Sequence, residues 1–319
     1  MKVGVIGAGY WGKKHVDEYS QLGHEVVVSD LSAENLEFCK LNYNAKIVQD
    51  YHEILDDGDI TVVSICSPNS THHGICIEAL SSDKNVLLEK PIGINSEQAD
   101  KIDRLAKEKK KTLLVGHVFR FNNAIRKTKE LIRTKSLGRV YTVNISWTNL
   151  EPIWQDRDIL FDLGVHPLDI LDNIFEKSPS HLYCTGEGFR QKNAEFAIIN
   201  YHLNDSFGGK DIFVNIELSW LNPIRNRRMV IVGSEKTAIV DCVIQKIQLI
   251  NNKSGVSEDV QIVPNNTIRE ELDFFITKSL AGKEIEYPAP NGEIGKQIVK
   301  IIERAHRSMN EKIIEKDGY

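Results

Sequence analysis

Lys2-Val-Gly-Val-Ile6-Gly7-Ala-Gly9-Tyr10-Trp11-Gly12 runs a short apolar strand straight into three glycines spaced G-x-G-x-x-G, and a helical pattern follows. In that context each glycine has a physical task. The first allows the tight turn out of the strand, the second lets a pyrophosphate approach the backbone, and the third lets the helix pack close. The N–H groups at the helix start, on Tyr10, Trp11 and Gly12, then face an anion. Asp30 closes the next apolar run, Glu25 to Ser29, 18 residues after Gly12. That is close to the separation of roughly 20 at which a carboxylate holds the adenosine ribose hydroxyls. Such a carboxylate repels a 2′-phosphate and Leu31 beside it offers no positive charge, so the pattern predicts NAD in preference to NADP. The plainer alternative is that Asp30 is only a polar strand end. His15 in the helix and His24 before the second strand are assigned no role, because histidines in such places are more often packed or on the surface.

Outward from this unit, β-rich runs at Ile60 to Cys66, Val86 to Leu88 and Thr112 to Val115 alternate with helical patterns. The helices fall near Gly12 to Leu22, Ala33 to Leu41, Thr71 to Ser82 and Ser96 to Lys110. Strands apolar throughout, such as Thr61-Val-Val-Ser-Ile-Cys66, expect helices on both faces, hence an α/β domain over residues 1–118. After a helix near Asn123 to Thr134 the pattern changes. Val140 to Trp147, Glu195 to His202, Ile212 to Leu221, Met229 to Val232, Ala238 to Val243 and Ile247 to Ile250 alternate apolar and polar with few helices between them. One helix, near Leu163 to Phe175, interrupts these runs, and two more follow near Arg269 to Leu280 and Glu293 to Met309. Residues 119–319 therefore read as an α+β domain with an antiparallel sheet.

The bulk properties exclude several classes of function. The 319 residues carry 40 Lys plus Arg against 45 Asp plus Glu, a net charge of -5 with no basic arm, so nucleic acid is not expected as a partner. Five cysteines without CxxC pairing predict neither a disulfide framework nor a structural metal, and a reduced, cytoplasmic setting is expected. No apolar run approaches the roughly 18 residues of a membrane span, and the start lacks a signal-peptide pattern.

Three further stretches carry chemistry. Cys66-Ser67-Pro68-Asn69-Ser-Thr71-His72 leaves a strand where an open α/β sheet keeps its ligands, so it should border the cofactor. Ser70 or Thr71 could equally serve as a helix N-cap. His72 and His73 are adjacent and point to different sides, which argues against a shared metal. Glu89-Lys90-Pro91 ends the next apolar strand, where a lysine is badly placed for the surface and should enter the cleft. Asp162-Leu-Gly164-Val-His166 sets a carboxylate and an imidazole four residues apart, on one face if a helix begins there. A histidine can take a proton at neutral pH, and a nearby carboxylate can orient its ring. Taken alone, such a pair is more often a surface contact.

Gly7-x-Gly9-x-x-Gly12, Pro68-Asn69-x-x-His72, Glu89-Lys90-Pro91, Gly116-His-x-x-Arg120-Phe121 and Asp162-x-Gly164-x-His166, in this order, resemble the glucose-fructose oxidoreductase and inositol dehydrogenase (Gfo/Idh/MocA) family of sugar dehydrogenases. The resemblance covers essentially the whole chain. It implies an N-terminal Rossmann domain and a C-terminal domain with a large open antiparallel sheet, through which such proteins form dimers or tetramers. It allows the C-terminal helices to pack back on the first domain. It carries the catalytic lysine onto Lys90, the histidine acid/base onto His166 and the accompanying aspartate onto Asp162, with Gly7, Gly9, Tyr10, Trp11, Gly12, Asp30, Ser67, Pro68, Asn69, His72, Glu89 and Lys90 at the cofactor. A second resemblance, from Ser219-Trp220-Leu221-Asn222-Pro223, Arg228, Gly233-Ser234 and Asp241, is to members that oxidise C3 of nucleotide-activated N-acetyl sugars. It offers Arg120, Trp154, Arg157 and Arg228 as contacts to sugar or diphosphate, since arginine pairs well with phosphate oxygens. Trp220 could equally be strand core. The resulting expectation is hydride transfer from a secondary alcohol of a nucleotide sugar to NAD. A free polyol or aldose dehydrogenase and a non-catalytic sensor of NAD or sugar are the alternatives.

Overall fold

A computed structural model of the chain describes residues 1–153, 158–204 and 211–316. They fall into two units, residues 1–118 with 266–299 and residues 119–265 with 300–316.

In the first unit, strands and helices alternate as β1 (Lys2–Ile6), α1 (Tyr10–Gln21), β2 (Glu25–Ser29), α2 (Ala33–Tyr43), β3 (Lys46–Val48), α3 (His52–Leu55), β4 (Ile60–Ile65), α4 (His72–Ser81), β5 (Asn85–Glu89), α5 (Ser96–Glu108) and β6 (Leu113–Gly116). All pairings are parallel, in the order β3-β2-β1-β4-β5-β6, so the strand order reverses between β1 and β4. This is the Rossmann arrangement, with its ligand crevice beyond the carboxyl ends at that reversal. β1, β2, β4, β5 and β6 are buried almost throughout, as their apolar runs require, whereas the edge strand β3 is not. β3 and α3 escape a periodicity reading because three or four residues hold little more than one period of pattern.

The second unit holds α6 (Asn123–Arg133), β7 (Val140–Leu150), α7 (Val165–Phe175), β8 (Ser180–Glu187), β9 (Phe196–Leu203), β10 (Ile212–Ser219), β11 (Leu221–Gly233), β12 (Lys236–Asp241), β13 (Lys246–Asn251) and β14 (Ser257–Val260). They form an eight-stranded sheet ordered β14-β13-β12-β11-β7-β10-β9-β8. Its pairs are antiparallel except β7 with β10, which run parallel because a long crossover through α7, β8 and β9 separates them. Period-2 burial is plain in β9, where Ala197, Ile199, Tyr201 and Leu203 are inside. Its neighbour β8 repeats it with Ser180, Leu182 and Cys184, too mixed in polarity to stand out in the sequence. The run Ile212 to Leu221, which reads as one strand, breaks at the wholly buried Trp220, where β10 ends and β11 begins.

Two more helices follow, α8 (Thr267–Leu280) and α9 (Gly292–Glu311). Leu272, Phe275 and Ile276 of α8 lie in one core with Val3, Val5 and Tyr19 of the first unit. The Glu18 carboxylate of α1 accepts from Asn266 Nδ2 at 2.5 Å and Arg269 Nε at 2.8 Å. Among the described residues no helix is long and apolar enough to cross a membrane.

Candidate active site

The glycine turn of the first unit is built as the spacing requires. Gly7 takes φ +92°, and a Cβ there would lie 2.8 Å from the backbone of Cys66 and Ser67. A Cβ on Gly12 would lie 1.9 Å from the Gly7 carbonyl oxygen, so only glycine lets α1 start this close to β1. At Gly9 a Cβ would meet nothing within 4 Å: that backbone faces open space. Side chains cap α2 (Ser32), α5 (Asn95), α6 (Asn122) and α8 (Asn266), whereas no side chain caps α1 at Gly9. The first N–H groups of α1 therefore keep their capacity for an anion. Asp30 stands at the end of β2, its Oδ2 accepting from Ala8 N at 2.6 Å and its Oδ1 from Ser32 N at 2.7 Å. Turn, helix start and carboxylate thus fit a dinucleotide: Gly7, Gly9 and Gly12 with the N–H groups of α1 for the pyrophosphate, and Asp30 for the ribose. Tyr10 beside them is 70% exposed, and its ring meets that of Trp11 edge to face.

Two neighbouring loops are tied together by His72. Its Nδ1 lies 2.8 Å from Pro91 O and its Nε2 2.9 Å from Ser67 O, and burial lowers its pKa. Ser67, Pro68 and Asn69 thus gain a fixed link to Lys90-Pro91, whose peptide bond is cis. Thr71 occupies the N-cap position of α4, but its hydroxyl donates to Pro68 O at 2.7 Å instead of accepting from the helix, and no side-chain cap forms. Lys90 leaves the end of β5 half-buried.

In the second unit, Leu160–Gly164 forms a wider π-type turn that runs into α7. Gly164 allows it to lie on β10, since a Cβ there would be 3.1 Å from Leu218 Cδ1. Asp162 sits in this turn with Oδ2 accepting from Trp220 Nε1 at 3.2 Å, and His166 follows in the first turn of α7. The His166 ring packs against Phe119 (centroids 5.4 Å) and Trp147 (5.8 Å). Trp220 is thus core, as the plainer reading had it, and also the donor that holds Asp162.

The four residues offered for substrate fare differently. Trp154 and Arg157 lie outside the described residues. Arg120 is buried, its Nε 2.7 Å from Asp169 Oδ1 and its Nη2 2.6 Å from Asp172 Oδ2. Burial alone would lower its pKa, but the two carboxylates raise it, while burial lifts Asp169 to about 6 against the pull of Arg120. This guanidinium is engaged in fixing α7. Arg228 is exposed and, by strand alternation, on the opposite sheet face from Trp147, so the structure does not bring it to His166. The arginine of β11 that faces Trp147 is Arg227, which pairs with it across the strands and stacks over its ring at 4.9 Å. It donates to Thr148 O and Asn149 Oδ1, and burial, with Arg225 nearby, lowers its pKa to about 10, so it remains a cation at neutral pH. The alternation of β7 and β11 was the signal that could have selected Arg227 over Arg228.

Comparison with known proteins settles the lineage. Residues 1–117 match the GFO/IDH/MocA family described as an oxidoreductase family with an NAD-binding Rossmann fold, and residues 125–239 match the GFO/IDH/MocA C-terminal domain. The chain belongs to the GFO/IDH/MocA family. It is thus an NAD-binding oxidoreductase. Among its relatives, a UDP-N-acetylglucosamine 3-dehydrogenase of Acidithiobacillus ferrooxidans is 24% identical over 89% of this chain and 90% of its own. A myo-inositol 2-dehydrogenase of Thermotoga maritima is 24% identical over 98% and 97%. An uncharacterized oxidoreductase, YrbE of Bacillus subtilis, is 26% identical over 57% of this chain, and the match spans only 56% of that relative. The solved structure of the Acidithiobacillus enzyme superposes with a TM-score of 0.85 at 22% identity over 98% of both chains. A levoglucosan dehydrogenase in complex with NADH and L-sorbose gives 0.87 at 16% identity over 99% of this chain and 98% of that one. At such identities the superpositions establish a shared GFO/IDH/MocA fold.

Proposed function

We propose that this GFO/IDH/MocA protein oxidises a secondary hydroxyl of a sugar to a ketone with NAD, and that its substrate is a UDP-N-acetylhexosamine oxidised at C3. The observation that carries the reaction is the Asp162–His166 arrangement: a carboxylate fixed by Trp220 and an imidazole backed by two aromatic rings, on a turn whose Gly164 lies close against Leu218 of the sheet. His166 takes the hydroxyl proton. Lys90, at the reacting oxygen, stabilises the negative charge that develops as the proton leaves. Asp162 orients His166 or binds a neighbouring hydroxyl, and a carboxylate already held by a buried indole N–H needs little reorganisation to do so. NAD, held by the glycine turn and Asp30, supplies the acceptor for two electrons and the hydrogen of the alcohol carbon. Asp30 sets the preference for NAD over NADP.

The nucleotide-sugar assignment is supported by the Acidithiobacillus relative, aligned over nine-tenths of both chains. The inositol dehydrogenase, equally similar and aligned over nearly all of both, favours a second reading as a free-polyol dehydrogenase. A homodimer or homotetramer built on the sheet face away from α7, and a cytoplasmic setting, complete the proposal. The test is NADH formation, by near-ultraviolet absorbance, with NAD and UDP-N-acetylglucosamine in one series and myo-inositol or free hexoses in others. Turnover with the UDP-sugar alone supports the first reading. Turnover with a free polyol or hexose alone overturns it in favour of the second.

A further inference from the structure

Two buried ionisable groups of the first unit have no part in the reaction just described, yet they meet behind Lys90. His15 on α1 is wholly buried, with Nε2 3.2 Å from Glu89 Oε1 and Nδ1 3.5 Å from Cys66 Sγ. The other Glu89 oxygen, Oε2, accepts the backbone N–H of Lys90 at 3.2 Å. Room for this carboxylate is left by Gly116, its partner across β5 and β6: a Cβ there would lie 3.0 Å from Glu89 Cδ and Oε2. A buried carboxylate is costly unless a cation faces it, and His15 is a side chain able to supply one. Cys66 brings no competing negative charge, because burial keeps it a thiol. The His15–Glu89 contact lies off the hydrogen-bond direction, so the pair is held by close packing at 3.2 Å and not by a directed hydrogen bond.

We propose that His15 is a positioning residue for Lys90: it holds the Glu89 carboxylate, and that carboxylate fixes the backbone amide from which the Lys90 side chain departs. The helix that opens at the glycine turn thereby also sets the lysine. This rests on the reading that places Lys90 at the reacting oxygen, where a displacement near 1 Å costs on the order of 10²-fold in rate.

The test is amide hydrogen exchange, read by mass spectrometry, on the full chain without ligand for wild type, His15→Phe, Glu89→Gln and the double variant. In His15→Phe the carboxylate is left buried without its imidazole partner, and the Lys90 amide should exchange about tenfold faster or more, with the rest of β5 unchanged. In the double variant no charge is left unpaired and the Gln oxygen still accepts from Lys90 N, so protection should return to within about threefold of wild type. That variant also decides the matter if His15→Phe does not fold. On the substrate that turns over, kcat of His15→Phe should fall about tenfold or more with KM for NAD within about threefold. Wild-type exchange in His15→Phe, or a double variant as unprotected as the single, overturns the inference. Faster exchange with unchanged turnover would leave the clamp standing and overturn the role given to Lys90.

Discussion

Single atoms decide how the dinucleotide is received. A Cβ on Gly12 would sit 1.9 Å from a backbone oxygen, so Gly12→Ala should cost about 1–3 kcal/mol of stability by overpacking and weaken NADH binding about tenfold, read by urea melts and fluorescence titration. Asp30 accepts two backbone N–H groups, and in the proposed reading its charge is what excludes a 2′-phosphate. Asp30→Ser should raise the ratio of NADP to NAD in kcat/KM about 100-fold, the few kcal/mol of one removed like-charge contact, and an unchanged ratio would take the preference away from this carboxylate. These residues were legible in the sequence because their tasks are local, set by spacing within one strand–turn–helix. Arg227 was not, since its neighbour Arg228 is the same residue type and only the register of β11 against β7 tells which of them faces Trp147. His15 was missed for a similar reason: its partner Glu89 is 74 residues away in sequence and only the fold of the first unit brings the two within 3.2 Å.

Elements show where pattern suffices and where it fails. Long apolar strands and the helices between them follow from periodicity, as does the change to alternating strands beyond residue 118. The allegiance of a helix does not, because an amphipathic face carries no address. Phe275 of α8 is fully buried in a core with Tyr19 and the β1 valines, and the Val115 amide donates to Pro290 O at 2.8 Å. Phe275→Ala should therefore lower stability by about 3–5 kcal/mol and weaken NADH binding in the same variant, measured by urea unfolding and titration. A loss of stability confined to the sheet of the second unit, seen by hydrogen exchange, would contradict this placement of α8.

On the scale of the whole molecule, five cysteines are spread over both units and burial raises every thiol pKa, with Cys184 and Cys242 pushed up to about 12. An acid whose folded pKa is raised keeps its proton in the native state while the unfolded chain loses it. Stability should therefore fall as pH rises above about 9, by about 1.4 kcal/mol per pH unit for each of these two thiols until about pH 12. A thiol reagent at pH 8 should find these two unreactive until denaturant is added, and rapid labelling of native Cys184 or Cys242 would contradict it. Light scattering after gel filtration should return a dimer or tetramer, and a monomer at micromolar concentration would contradict the proposed pairing through the sheet.

The most direct test of the account is the rate of NADH formation by Lys90→Met and His166→Ala on the substrate that the wild type oxidises. Each should lose about 10²–10⁴-fold in kcat, with His166→Ala binding NADH as tightly as wild type. Wild-type rates in both would contradict the assignment of lysine and histidine to the chemistry, whichever sugar is turned over.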